Sequence, residues 1–379
     1  MGYTMDMNRI YLASPHMGGD EIKYINQAFE SNWIAPLGEN VTQFEKTVAD
    51  FVGVQHAVAL SSGTAAIHLG LKAFGVGEGD VVFCSSFTFA GSANPITYLG
   101  AKPVFIDSDE KSFNMCAKAL EKAYEKYPNP KALLVVNLYG NSADFDKILP
   151  IAKKHNTPVL EDAAESLGAI YNGKQTGCFG DISILSFNGN KIITTSGGGM
   201  ALTNNKKWAD KMLFWATQAR ENAPWYEHNE IGYNYRLSNI CAGIGRGQMK
   251  VLEKRVERKR QIFELYSKAF AYNKNVVVMG ETDGCASNRW LSVVTLAKEC
   301  KVDFMQIIDA LAKENIEARP TWKPMHMQPV FADCEFFSAY DTPDCEKIFA
   351  KGICLPSDTK LSDDDILRIA DIVNRITGK

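Results

Sequence analysis

Lys191 is the residue in this chain that most needs a chemical explanation. It stands in Ser186–Met200 (SFNGNKIITTSGGGM), ahead of Ile192, Ile193, two threonines and three glycines, where an apolar chain would otherwise continue as a buried strand. A desolvated lysine gives up its proton readily and is the side chain that forms Schiff bases with carbonyl compounds. A lone lysine in a glycine-rich turn is more often a solvated surface group, so its partners decide. Asp162, in Leu160–Ala169 (LEDAAESLGA), ends an apolar run that reads as a buried strand, and Glu165 follows one helical turn later. An ionised carboxylate at a buried strand end is costly unless it meets a cation; the plainer role is to cap a helix starting at Ala163. Ser61–Ala66 (SSGTAA) lies between a β-type run and an apolar helix. Gly63, Thr64 and Ala65 are therefore placed where a helix N-terminus offers unpaired N–H groups to an anion, although tight strand-to-helix turns use the same small residues for steric reasons.

An aldehyde cofactor carrying a phosphate and a pyridine ring would use all of these groups. Lys191 would hold the aldehyde and, once a substrate amine displaced it, move a proton between the substrate carbon and the cofactor. Asp162 would keep the ring nitrogen protonated and so make the ring an electron sink. Thr64, Ala65 and Ser186 would bind the phosphate, Phe89 would stack on the ring, and Glu165 would reach the ring hydroxyl. The competing readings are a core aromatic for Phe89 and a solvated helix residue for Glu165.

The elements that must position these residues follow from periodicity. Apolar runs at His56–Leu60, Asp80–Ser85, Pro103–Asp107, Ala132–Leu138, Pro158–Asp162 and Ile182–Phe187 read as strands. Helical intervals separate them, around 116–126 and 144–155 among others. This alternation predicts a doubly wound α/β fold with a mostly parallel sheet, whose ligands gather at the carboxyl ends of the strands. Helical spacing also marks 20–31 and 43–52, and the apolar loop Trp33–Gly38 between them is either packed core or, the reading favoured here, the lip of a binding site. After Lys207 a long helical region is expected, interrupted at Gly232–Ser238 and resuming from 240 to about Phe270. From Val276 the pattern changes to an α+β arrangement. We therefore expect a large domain over 1–250 and a smaller one over 251–379.

Composition excludes several classes. With a net charge of −3 the chain has no broad basic footprint for nucleic acid, and the run Lys250–Arg260 is interleaved with Glu253 and Glu257 as on a solvated helix face. Nine cysteines without CxxC pairs or zinc-type spacing fit reduced thiols and no metal site. An N-terminus without an export signal, and no apolar stretch of about 18 residues, predict a cytoplasmic protein that does not span a membrane.

In combination, SSGTAA (61–66), SFTFAGSANPI (86–96), AKPVFID (101–107), LEDAAESLGA, SFNGNKIITTSGGGM, GYNYRLSNICAGIG (232–245) and ICLPSDTKLSDDDI (353–366) resemble the DegT/DnrJ/EryC1/StrS aminotransferases over about residues 10–375. The resemblance implies a fold-type-I, pyridoxal-phosphate-dependent enzyme, with a seven-stranded type of sheet, that aminates keto groups of nucleotide-linked sugars. It matches Lys191 to the Schiff-base lysine, Asp162 to the ring-nitrogen partner, Phe89 to the stacking position, and Thr64, Ala65 and Ser186 to the phosphate contacts. Asn234 matches an asparagine that reaches the phosphate of the neighbouring subunit, which implies a homodimer with shared active sites. Position 165 is commonly Gln or His in the family and is Glu here. Asn188, Arg236 and His326 fall in motifs that line the sugar side. Relatives that dehydrate sugars replace the lysine by histidine, which Lys191 argues against.

Within the family, residues 12–40, 217–228, 287–292 and 319–331 look most like transaminases making UDP-4-amino-4,6-dideoxy-N-acetylglucosamine in the bacillosamine pathway. L-Glutamate would convert the cofactor to pyridoxamine phosphate and leave as 2-oxoglutarate. The alternatives are the same chemistry on a UDP-altrosamine-type, GDP-perosamine-type or dTDP-linked keto sugar, or a non-catalytic cofactor-binding regulatory dimer, which retention of both Lys191 and Asp162 opposes.

Overall fold

The apolar runs assemble into one eight-stranded sheet, ordered His56–Leu60, Gly199–Thr203, Ile182–Ser186, Val159–Asp162, Ala132–Val136, Val81–Ser85, Lys102–Ile106 and Phe336–Phe337. The structure, a computed structural model, describes residues 9–378; Met1–Asn8, on which the expectation of no export signal partly rests, lie outside the described residues. Gly199–Thr203 is antiparallel to both neighbours, and every other adjacent pair is parallel. The fold is thus α/β with a large, mostly parallel sheet. Its central strands read as unbroken hydrophobic runs because helices cover both faces. No described helix is long and apolar enough to cross a membrane.

Two strands of this large sheet went unread. Gly199–Thr203 begins inside the glycine run, which signals a turn, and Phe336–Phe337 is too short to carry a period of two. Three expected helical stretches also differ. Residues 217–231 are irregular after the helix Lys206–Ala216, and the predicted 240–270 helix breaks at Lys250–Val251 into Asn239–Met249 and Leu252–Phe270. Ala164–Gly168 forms turns, so Asp162 caps no helix. The loop Trp33–Gly38 is not part of the cavity described below. Asn239 holds it through the carbonyls of Trp33 and Ala35 and leaves Trp33, Ile34 and Leu37 exposed.

The chain after residue 250 builds a second, antiparallel sheet from Val276–Val278, Ser292–Leu296, Gly352–Leu355 and Arg319–Pro320. Ile262, Tyr266, Ile307 and Ile369 pack in its core. The same half also returns to the large sheet through Phe336–Phe337, and Trp290, Met325 and Phe331 are buried in the larger core.

Asn288 clasps the two parts. Its Nδ2 donates to the carbonyls of Glu165 (3.0 Å) and Leu167 (2.9 Å), its Oδ1 accepts from the Trp290 amide at 2.8 Å, and its own amide donates to Gly140. Gly140 has φ +94°, and a Cβ there would lie 2.0 Å from Asn288 Oδ1. Gly140→Ala therefore meets both backbone strain and a clash with a buried, fully engaged amide. It should lower unfolding stability by roughly 2–4 kcal/mol in urea titrations, the range for strained or overpacked buried sites. A wild-type midpoint would show that the clasp yields freely.

Candidate active site

At the carboxyl ends of the parallel strands lies a cavity of about 280 Å³, lined by Gly63, Thr64, Phe89, Asp162, Glu165, Ser186, Asn188 and Lys191 among others. Lys191 does not continue a strand. The strand Ile182–Ser186 stops, and residues 187–198 form a tied loop: Phe187 and Gly198 share a backbone hydrogen bond, Thr195 N and Thr194 Oγ1 both donate to the Phe187 carbonyl, and Gln248 accepts from Thr194 N. Ile192 and Ile193 are the buried anchors of this loop, packed in the cluster with Phe44 and Phe187. The apolar residues after Lys191 hold it in place rather than extending the sheet.

The Lys191 amine lies 3.5 Å from Glu165 Oε1 and 4.2 Å from the centroid of the Trp290 ring, with its side chain only 12% exposed. The other Glu165 oxygen accepts the Tyr139 amide at 2.7 Å. Burial pushes the Glu165 carboxyl up from its ordinary range, and the Lys191 charge pulls it back. Asp162 is fully buried; Oδ2 accepts from Ser92 Oγ at 2.7 Å and Oδ1 from the Ala164 amide at 3.1 Å. Burial raises this carboxyl too, against the two hydrogen bonds and the Lys191 charge. The strand Val159–Asp162 pairs with Ile182–Ser186 in a register that sets Asp162 beside Ile184, so acid and lysine loop leave neighbouring strand ends.

The helix Gly63–Ala73 starts at the cavity, with Ser62 Oγ accepting from the Ala65 amide at 3.0 Å. Ala65 itself is buried and does not line the cavity, because its N–H is spent on that cap; Gly63 and Thr64 do line it. Gly199 allows the strand behind to approach, since a Cβ there would fall 2.3 Å from the Ser62 carbonyl carbon. Phe89 is 56% exposed rather than core, its ring 5.4 Å from that of Trp322.

Three further expected site residues lie elsewhere. Arg236 donates to Glu45 Oε1 (2.9 Å) and to the Ala59 carbonyl (3.0 Å), which pins it under the Gly63 helix's preceding strand and away from the cavity. His326 is held between Ser86 Oγ and Glu346 and stacks on Phe336 at 3.7 Å, likewise off the cavity. Asn234 is exposed and does not reach this chain's own cavity. Conversely, Ser92, Trp290 and Trp322 line the cavity with no role read from the sequence. The signal for the two tryptophans was their place in two conspicuous motifs, SNRWLS and RPTWKPMHMQPVF, while Ser92 lies in SFTFAGSANPI.

The residues fit a phosphorylated pyridine aldehyde: a mostly buried amine, a buried carboxylate with acceptor capacity left for a cation, a helix N-terminus, and an exposed aromatic face around one cavity. That combination defines a pyridoxal-phosphate-dependent aminotransferase fold and site. Residues 15–374 match the DegT/DnrJ/EryC1/StrS aminotransferase family, and the chain belongs to it. It is a sugar aminotransferase of that family, and its cofactor is pyridoxal phosphate. The chain is 51% identical to EpsN of Bacillus subtilis (strain 168), whose name describes a pyridoxal phosphate-dependent aminotransferase, over 96% of this chain and 95% of that one. It is 37% identical to a GDP-perosamine synthase of Caulobacter vibrioides, over 98% and 99%. A solved DegT DnrJ EryC1 StrS aminotransferase from Brucella abortus superposes with a TM-score of 0.87 at 28% identity, over 95% and 96%.

Replacing Lys191 by Ala should cut turnover by at least roughly 10²–10⁴-fold, the contribution of a positioned acid–base group. Circular dichroism should stay that of the wild type, and undiminished amination would remove Lys191 from the chemistry. A second lysine acts behind the first. Lys259 is buried and donates to the Trp290 carbonyl at 2.8 Å; burial pushes its amine down to about 7, against the Asp358 charge. Because the folded value lies below the ordinary 10.5, the unfolded chain binds more protons between those limits, and stability from this group rises with pH from about 7 to about 10.5. Lys259→Met should flatten that rise, by roughly 2–5 kcal/mol across the window, in denaturant titrations at stepped pH. Identical pH profiles for the two proteins would refute it.

Proposed function

We propose that this enzyme transfers the amino group of L-glutamate to C4 of a UDP-linked 4-keto-6-deoxy-N-acetylhexosamine. The product is UDP-4-amino-4,6-dideoxy-N-acetylglucosamine, for a surface glycan or protein glycosylation. The observation that carries the chemistry is Lys191 set between Glu165 and the Trp290 ring in the cavity that also holds Asp162. The choice of sugar is supported by two of the stretches resembling the bacillosamine branch, because they place Trp290 and Trp322 on that cavity's wall.

The cofactor, when bound, supplies the electron sink and carries the amino group from donor to acceptor. Asp162 holds a positive charge at the ring nitrogen, with Ser92 and the Ala164 amide fixing its orientation. Gly63, Thr64 and Ser186, which line the cavity at the helix N-terminus, would hold the phosphate. Phe89 would stack on the ring. Lys191 takes and returns the proton at the reacting carbon, while Glu165, itself fixed by the Tyr139 amide, keeps the amine within reach. Asn234, exposed on this chain, supplies its contact to the site of a second copy, so the working form is a cytoplasmic homodimer. The second reading is the same amination on a GDP-linked perosamine precursor, favoured by the Caulobacter relative.

Two measurements test this. Adding L-glutamate alone to the holoenzyme should abolish its visible absorption band; an unchanged spectrum excludes glutamate as donor. A panel of UDP-, dTDP- and GDP-linked keto sugars, read by mass spectrometry, should give an aminated product with the UDP-N-acetyl sugar at a kcat/KM at least roughly 10-fold above the others. Preference for the GDP-linked sugar would establish the second reading.

A further inference from the structure

A second cavity of about 300 Å³ adjoins the first, and Asn190, Trp290 and Trp322 line both. The shared wall is fixed, because Trp290 Nε1 donates to the Asn190 carbonyl at 2.7 Å. The remaining lining is largely apolar, from Leu12 and Ala13 on the N-terminal segment to Pro320 and Cys354 on the smaller sheet, apart from Arg319 and Glu317. Arg319 Nε and Nη2 donate to one Glu317 oxygen at 3.0 and 2.8 Å, and the other Glu317 oxygen accepts from the Leu12 amide at 3.1 Å. The arginine side chain is 67% exposed and its carboxylate partner 17%.

An amino-acid donor with two carboxylates must bring both close to Lys191. Among the described residues lining the two cavities, Lys191 and Arg319 are the cations, and Lys191 is engaged at the reacting carbon. A guanidinium matches a carboxylate with two parallel N–H donors, and an exposed ion pair is exchanged at little cost. Glu317 keeps its bond to Leu12 when Arg319 leaves it. We infer that the second cavity is the donor subsite and that Arg319 turns from Glu317 to bind a carboxylate of the dicarboxylic amino-acid donor. The inference rests on glutamate being that donor. The keto sugar carries no carboxylate, so Arg319 acts in one half of the reaction and not in the other.

The test separates the halves in Arg319→Gln. The donor half is followed by loss of the holoenzyme's visible band with L-glutamate. The acceptor half is a single turnover of sugar amination after the enzyme has been loaded with pyridoxamine phosphate. Binding of glutarate, an unreactive dicarboxylate, is measured by calorimetry on the holoenzyme. The variant should need roughly 10- to 100-fold more glutamate for half-maximal rate and bind glutarate weaker by a similar factor, the effect of losing a charged hydrogen-bonded pair, with an unchanged acceptor half. Unchanged glutamate dependence, or an acceptor half slowed as much as the donor half, overturns the assignment. A wild type inert to glutamate overturns the donor reading itself, and Arg319's role with it.

Discussion

The structure depends on keeping carboxylates buried at the end of one strand. Glu161 and Asp162 are adjacent, point to opposite faces of the sheet and are both buried, yet their surroundings differ. Glu161 accepts from Asn137 Nδ2, Ser183 Oγ and the amides of Gly177, Phe179 and Gly180, which fills a carboxylate's capacity of about four sites. Asp162 has two donors, Ser92 and Ala164, and opens on the cavity. The first is closed and structural. The second has acceptor capacity left in a place where an unpaired charge is costly, and a cationic ring nitrogen would relieve that cost.

That requirement fixes what surrounds it. Ser92 can reach Asp162 because the helix Ala90–Tyr98 begins at Phe89, so the helix that orients the acid also presents Phe89 to the cavity. Glu165 reaches Lys191 because the turn after Asp162 is held by Asn288 through the Glu165 and Leu167 carbonyls. The same Asn288 fixes the Trp290 amide, and Lys259 fixes the Trp290 carbonyl, so the ring under Lys191 is held on both sides by groups outside the cavity. Acid, lysine and aromatic wall are therefore one rigid unit contributed by both halves of the chain.

Much of this was legible because each signal was local. The parallel strands are largely buried and read as apolar runs, while Asp162 ends one of them and Gly63, Thr64 and Lys191 follow other strands within a few residues. What was not legible depends on three-dimensional neighbours. The stretch after Lys191 has strand composition, but Ile192 and Ile193 anchor a loop. Phe89, an aromatic at a strand end, reads by itself more readily as core and is half exposed. Trp290 and Trp322 come from the other half of the chain, and nothing in their spacing relates them to Lys191. Arg236 and His326 were assigned by motif likeness, which carries residue type without carrying its partners.

Arg236 and Arg319 show how partners separate the two kinds of arginine. Each pairs with a glutamate in this chain, at 2.9 and 2.8 Å. Arg236 is 11% exposed and also donates to the Ala59 carbonyl, while Glu45 accepts from the Ala59 amide as well, so the pair is woven into the strand edge. Breaking it would strand a buried charge and two backbone groups, which makes it unsuited to exchange with a ligand. Arg319 is mostly exposed and among the described residues donates to Glu317 alone, whose second oxygen accepts from the Leu12 amide independently of the arginine. Distance alone does not distinguish these pairs. Burial, and the number of other bonds lost when the pair opens, decide which arginine is part of the scaffold and which is free to meet a substrate.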